Sequence, residues 1–123
     1  MVIKFSIHEM LGFENVELEL FFKKNKWHLS GFSGRENEIK INKELSASLV
    51  DPVLKDFMKI KTSIPPFIIG YDGTFYQLDV KCGFNSISYH WWSFPPKCFK
   101  EIISFCDTLL SWAGLGIKIS DYC

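Results

Sequence analysis

The chain has 123 residues, of which 47% are hydrophobic and 23% charged, and fourteen basic residues balance fourteen acidic ones. This length and composition predict a single globular domain spanning residues 1–123 and argue against a disordered chain. A formal net charge of zero gives no electrostatic basis for direct binding of nucleic acid or of an anionic membrane.

Targeting signals and cysteine usage point to one compartment. No apolar run approaches the ~18 residues needed to span a bilayer, and the N-terminus lacks the ordered features of a secretion signal. The four cysteines include no CxxC pair, which argues against a zinc ribbon or a thioredoxin-like motif. We therefore expect a cytoplasmic protein with free thiols.

The first third of the chain predicts an antiparallel meander. Apolar and polar residues alternate over Val2 to His8 and over Asn15 to Lys23, and Lys24-Asn25 can turn the chain into a third strand at Lys26 to Phe32. Alternation of this kind places apolar side chains on one face and polar ones on the other. One face of the meander is therefore expected to be solvated.

A helical period follows. After a loop at residues 33–36 and a short strand at Glu38 to Ile41, apolar residues recur at helical spacing from Leu45 to Met58. Asp51-Pro52 interrupts this pattern. Because Asp is a good N-cap and Pro a good first helical residue, we expect the helix to restart or kink there.

The next segment predicts a hairpin followed by another strand. The apolar run Phe67 to Tyr71 reads as a central strand, and Asp72-Gly73 is a strong hairpin signal that would join it to a strand at Thr74 to Val80. Gly83 then turns the chain into a strand at Phe84 to Trp92. The period of two predicts one face with Ile87, Tyr89 and Trp91, and another with Ser86, Ser88, His90 and Trp92.

The C-terminal region predicts an amphipathic helix from Lys97 to Ala113, with Gly114 as its C-cap and a last edge strand at Gly116 to Ser120. The order of strands, helix, strands and helix predicts an α+β fold. We expect a mainly antiparallel, twisted sheet with two helices, the C-terminal one packed on the sheet.

No catalytic signature is present. The chain has no nucleophile elbow, no phosphate-binding loop, no HExxH motif and no histidine at metal spacing, so we expect no enzyme activity, no cofactor and no metal. Three features leave a cryptic enzyme open. Cys98 lies near a helix start, His90 is a candidate base, and Glu17 and Glu19 share a strand face roughly 7 Å apart.

Residues Asp72 to Trp92 read DGTFYQLDVKCGFNSISYHWW and are followed by Ser93-Phe94-Pro95-Pro96. This stretch resembles a group of small, poorly characterised bacterial proteins that share a D-G-T hairpin, then G-F-N-S-x-x-Y-x-W-W, then a Pro pair and a helix. Some of them look like immunity proteins of toxin–immunity systems, such as contact-dependent growth inhibition. The resemblance therefore implies a small cytoplasmic protein that binds a toxin.

The same motif also has a structural interpretation, because Asp72-Gly73 sets a two-residue turn and Gly83 permits a positive φ.

The leading hypothesis is an immunity protein that neutralises one cognate bacterial toxin, possibly a nuclease, by protein–protein contact. Small size, an excess of aromatic residues and local acidic runs favour it, since acidic groups would complement the basic site of a nuclease. The predicted partner-binding residues are Glu14, Glu17, Glu19, Trp27, His28, Glu36, Glu38, His90 and Trp92. The alternative is a small-ligand or regulatory module with an aromatic pocket near Tyr89, Trp91 and Trp92.

Overall fold

The computed structural model describes residues 1–9, 15–36, 38–60, 73–93 and 95–122. In these ranges six strands and two α-helices are present, together with two 3₁₀ turns at Lys97–Phe99 and Ile119–Tyr122. In chain order the elements are β1 (Val2–Glu9), β2 (Asn15–Lys23), β3 (Lys26–Gly34), β4 (Ile39–Leu45), α1 (Ala47–Phe57), β5 (Thr74–Cys82), β6 (Asn85–Trp92) and α2 (Lys100–Trp112).

The strands form one antiparallel sheet in the order β4-β3-β2-β1-β5-β6. β1 lies inside the sheet, with β2 on one side and β5 on the other. Phe5 is opposite Leu18 on β2 and opposite Leu78 on β5. The predicted α+β class with a mainly antiparallel sheet is confirmed.

The alternation of side chains gives the sheet one apolar face, which both helices cover. Cross-strand partners share a face, so the registers align the buried residues of all the strands. The apolar face carries Ile3, Phe5, Ile7, Val16, Leu18, Leu20, Trp27, Leu29, Ile41, Tyr76, Leu78 and Trp91, all buried. Helix α1 adds Val50 and Leu54, and α2 adds Ile102, Ile103, Phe105, Cys106, Leu109 and Leu110.

The C-terminal helix packs on the sheet and against α1, as predicted. The rings of Phe57 and Phe105 stack with centroids 4.1 Å apart where the two helices meet. Helix α2 ends in a Schellman motif, in which Leu115 N donates to Leu110 O and Gly114 N to Ser111 O. Gly114 has φ 76°, so the predicted glycine C-cap is confirmed.

Two hairpin turns follow the sequence prediction. Lys24 and Asn25 have φ values of 54° and 63° and join Lys23 to Lys26, as a type I′ turn requires. Gly83 has φ 63° in the two-residue loop between β5 and β6, where a side chain would be strained.

Helix α1 begins at Ala47 and continues through Pro52. Its N-cap is Ser46, and Pro52 lies inside the helix rather than starting a new one. Asp51 does not cap a helix, because its Oδ1 accepts a 2.9 Å hydrogen bond from the indole Nε1–H of Trp27 on β3. This bond joins α1 to the sheet.

Two further strand predictions need correction, whereas the strand predicted at 67–71 lies outside the described residues. Both sides of β5 are paired, to β1 and to β6. The C-terminal edge strand is wrong, since Ile119–Tyr122 form a 3₁₀ turn. There the Asp107 carboxylate accepts the backbone N–H of Ile119 at 2.7 Å. The short strand at Glu38 to Ile41 is the longer β4, Ile39–Leu45.

Gly31 is required for the pairing of β2 with β3. A Cβ at this position would lie 1.8 Å from the carbonyl oxygen of Glu17, whereas a Cβ at Gly116 would meet nothing within 4 Å. We expect Gly31→Ala to lower the free energy of unfolding by at least about 2 kcal/mol, because a backbone clash must push two strands apart. Urea denaturation measures the change, and Gly116→Ala is the matched control. Equal stability of the two variants would contradict the packing described here.

The Trp27–Asp51 bond gives a second stability prediction. Asp51→Ala leaves the indole N–H of buried Trp27 without its partner, so we expect a loss of about 1 kcal/mol. Asp51→Asn keeps an acceptor and serves as the control. Thermal unfolding followed by tryptophan fluorescence measures the stability of both variants. If Asp51→Asn lost as much stability as Asp51→Ala, the hydrogen bond would not be the cause.

Candidate binding face

The second face of the sheet is covered by neither α1 nor α2. We call it the open face, and it consists of the strand side chains that point away from those helices. They are Val2, Lys4, Ser6, His8, Asn15, Glu17, Glu19, Phe21, Lys23, Lys26, His28, Ser30, Phe32, Lys40, Asn42, Glu44, Phe75, Gln77, Asp79, Lys81, Ser86, Ser88, His90 and Trp92.

Charged residues from three strands meet at the centre of the open face. Lys4 on β1 lies between Glu19 on β2 and Asp79 on β5, and Glu17 is one pleat away opposite Ser6. The central group therefore holds three carboxylates and one ammonium. A shallow depression of about 560 Å³ lies over it and extends toward Lys40.

Neighbouring hydrogen bonds hold Asp79 in place. Its two carboxylate oxygens accept from Gln77 Nε2 at 2.8 Å and from Ser88 Oγ on the adjacent strand. A carboxylate held in this way loses little side-chain entropy when a partner binds it. Asp79 is thus preorganised for a cationic or donor group.

Aromatic rings flank the acidic centre. The Phe21 and His28 rings are stacked, with centroids 5.3 Å apart, while Phe75 lies 5.7 Å from His90 and 5.9 Å from Trp92. Phe32 on β3 lies opposite Glu17 and is 40% exposed. Part-exposed rings beside polar groups are typical of recognition surfaces, because they supply large contact areas with little loss of conformational entropy.

The open face is large enough for a protein partner. Six strands at ~4.8 Å spacing and ~3.3 Å per residue along eight residues give an area of about 600 Å². A standard protein–protein interface takes about 800 Å² from each partner. The face alone would supply most of one side of such an interface.

The structure brings five of the predicted partner-binding residues together on this face: Glu17, Glu19, His28, His90 and Trp92. Trp27 does not join them, because its side chain is 7% exposed and packs on the helix-covered face. Its neighbour His28 points the opposite way, as successive strand residues must. Glu14 lies outside the described residues.

Glu36 and Glu38 lie at the end of the sheet, around the β3–β4 turn, rather than on the open face. Glu38 Oε2 accepts the backbone N–H of Glu36 at 2.8 Å. Hydrogen bonds from backbone N–H groups, first its own and then that of Glu36, lower the pKa of Glu38. This carboxylate is already bonded to its own turn.

The three aromatic residues proposed for a ligand pocket do not share a face. Trp91 is buried on the helix-covered face, where its ring stacks on Tyr76 with centroids 5.3 Å apart, and Tyr89 packs edge-on against Phe99. Trp92 lies on the open face beside Phe75. The rings therefore cannot line one common pocket.

Sequence reasoning missed Asp79, Phe75, Phe21 and Phe32. The available signal was strand parity, since Phe21 follows the same alternation as Glu17 and Glu19, and Phe75 the same as Asp79. The joining of β5 to β1, which brings Asp79 to the acidic centre, has no local signal in the sequence.

The three described cysteines differ in exposure. Cys82 is exposed and Cys106 is buried, and burial, followed by the charge of Asp107, raises the pKa of the Cys106 thiol well above its ordinary value. Cys98 lies in the 3₁₀ turn before α2. Over the described ranges, no group of three or more His, Cys, Asp or Glu residues has a geometry that could hold a metal ion.

Comparison with known proteins adds no assignment: no protein-family model matches the chain, and no curated protein matches it.

Within the part of the chain that the structure describes, neither helix has the length and apolar character that crossing a membrane requires.

Cysteine burial predicts selective alkylation. Under native conditions N-ethylmaleimide should modify exposed Cys82 rapidly and buried Cys106 at least about a thousandfold more slowly, because Cys106 must wait for unfolding. Peptide mass spectrometry over time measures both rates, and Cys82→Ser should remove the fast label at that site. Rapid native labelling of Cys106 would contradict its place in the core.

Proposed function

We propose that this chain is a cytoplasmic immunity protein that binds a cognate bacterial toxin through the open face. The observation that carries the proposal is the side of the sheet that neither described helix covers, with its acidic centre and flanking rings. A sheet face that served only as solvent-exposed surface would need neither a cluster of part-exposed aromatic residues nor a hydrogen-bonded Asp79. The resemblance of residues 72–96 to small, poorly characterised bacterial proteins, some of which look like immunity proteins, adds to this.

Charge suggests the chemistry of the partner. The whole molecule is neutral, but the centre of the open face places Glu17, Glu19 and Asp79 around one lysine. A toxin that cleaves nucleic acid has a basic active site, which such carboxylates would attract and occupy. The rings of Phe21, Phe75 and Trp92 would supply apolar contacts around this charged centre.

The protein inhibits by contact in this proposal, not by chemistry. Occupying the toxin's basic surface excludes the phosphate backbone of its substrate, so the immunity protein needs no catalytic group, cofactor or metal. Charge steering raises the association rate, and the desolvated aromatic contacts slow dissociation.

A growth experiment tests the proposal. Cells that express the cognate toxin should survive only when this chain is co-expressed, because free toxin kills them. The toxin used is the stoichiometric partner that copurifies with the tagged chain from its native lysate. Survival without this chain, or killing despite a well-expressed folded copy of it, would reject the immunity role.

Charge reversal identifies the face. Glu17→Lys with Glu19→Lys should lower the association rate with the toxin by at least about tenfold and abolish growth protection, because two attractive charges become repulsive. Asp56→Lys with Glu101→Lys makes the same charge change on the exposed sides of α1 and α2 and should preserve protection. Surface plasmon resonance and circular dichroism measure the rate and the fold. Protection that survives the first pair and fails with the second would place the interface on the helices.

A further inference from the structure

The two outer strands of the sheet differ in how they are protected from pairing with another strand. β4 carries Lys40, Lys43 and Glu44 among its seven residues, and charged side chains on an edge strand oppose such pairing. β6 has the sequence NSISYHWW, without Asp, Glu, Lys, Arg or Pro. It is the unprotected edge.

The edge of β6 is exposed as well as uncharged. Asn85, Ser86, Ile87 and Ser88 are all exposed. Ile87 is 50% exposed, and Phe84 in the preceding turn is fully exposed. Two large apolar side chains therefore lie next to a row of backbone groups that can accept another strand.

The backbone geometry shows which groups point outward. Ser93 N donates to Thr74 O at 2.7 Å, and a two-residue loop joins Cys82 to Asn85. Hydrogen-bonded and non-bonded pairs alternate in an antiparallel ladder. The backbone N–H and C=O of Ile87 consequently face β5, whereas those of Ser86 and Ser88 face away from the sheet.

We propose that a second copy of this chain pairs with β6 in antiparallel orientation about Ile87, joining the two sheets into one continuous sheet. In this register Ile87 lies opposite Ile87 of the other copy as a non-hydrogen-bonded pair, the kind of pair in which side chains approach most closely. Ser86 pairs with Ser88 on either side, giving about four backbone hydrogen bonds. The turn bearing Phe84 lies beside His90 of the other copy.

A second copy fits this edge because the arrangement is self-complementary. A two-fold axis through Ile87 places apolar side chains opposite apolar side chains and hydroxyl groups opposite hydroxyl groups. Since β6 has no Asp, Glu, Lys or Arg, no like charges face each other across the axis. The interface is isologous and closes after two copies. The dimer interface uses the strand edge and leaves the acidic centre of both open faces accessible. Dimer formation therefore goes beyond the proposed toxin binding and does not depend on it.

The test introduces like charges at the axis. Wild-type protein should show a reversible monomer–dimer equilibrium by analytical ultracentrifugation over a range of concentrations. Ile87→Lys and Ile87→Glu should each weaken self-association by at least about tenfold, because identical charges then lie opposite each other. An equimolar mixture of the two variants should recover the dimer, since opposite charges meet.

Ile39→Lys is the matched control. Ile39 is also 50% exposed, lies on the other edge strand and faces the same side of the sheet. The Ile39→Lys substitution should leave self-association unchanged. Circular dichroism confirms that each variant is folded before its association is measured.

Three outcomes would overturn the proposal. The first is a wild-type chain that stays monomeric at every concentration, even if its β6 edge pairs with a strand of another protein. The second is a dimer that Ile87→Lys and Ile87→Glu leave unaffected. The third is a dimer that Ile39→Lys weakens as much as the Ile87 substitutions do. Failure of the mixture to recover the dimer would also reject the register about Ile87.

Discussion

The antiparallel pairing of β5 with β1 is the constraint on which the rest of the structure depends. It places Val2 opposite Lys81 and Phe5 opposite Leu78, joining the N-terminal meander to the β5–β6 hairpin. Closing so long a loop costs conformational entropy, and the burial of Phe5, Leu78 and their neighbours offsets that cost. Without this pairing the sheet would divide into two smaller pieces, each too small to bury both helices.

Once the six strands are joined, side-chain parity decides the two faces. Cross-strand partners always share a face, so the apolar residues form one continuous surface that α1 and α2 cover. The same registers bring the polar residues together on the other face. Glu19, Lys4 and Asp79 come from three strands and become neighbours in one row of the pleat. The acidic centre is thus a consequence of the sheet order.

The sheet order also decides which strands are outermost. β4 and β6 are both edges, yet only β4 carries charges that oppose further pairing. The open face and the β6 edge are adjacent but present different chemistry, carboxylates and rings on one and bare backbone on the other. The two proposals therefore use separate surfaces, the open face for the toxin and the β6 edge for a second copy.

Local signals in the sequence determined most of the secondary structure. The alternation in β1, β2 and β3 predicted their faces, and Lys24-Asn25, Gly83 and Gly114 marked turns and a cap, because these features depend only on neighbouring residues. The pairing of β5 with β1 shows the limit of such signals, because these two strands are far apart in the sequence. Of the candidate site, the sequence determined that Glu17 and Glu19 share a face. Only the tertiary structure decided that Asp79 joins them and that Trp27 is buried, because each depends on elements brought together by folding.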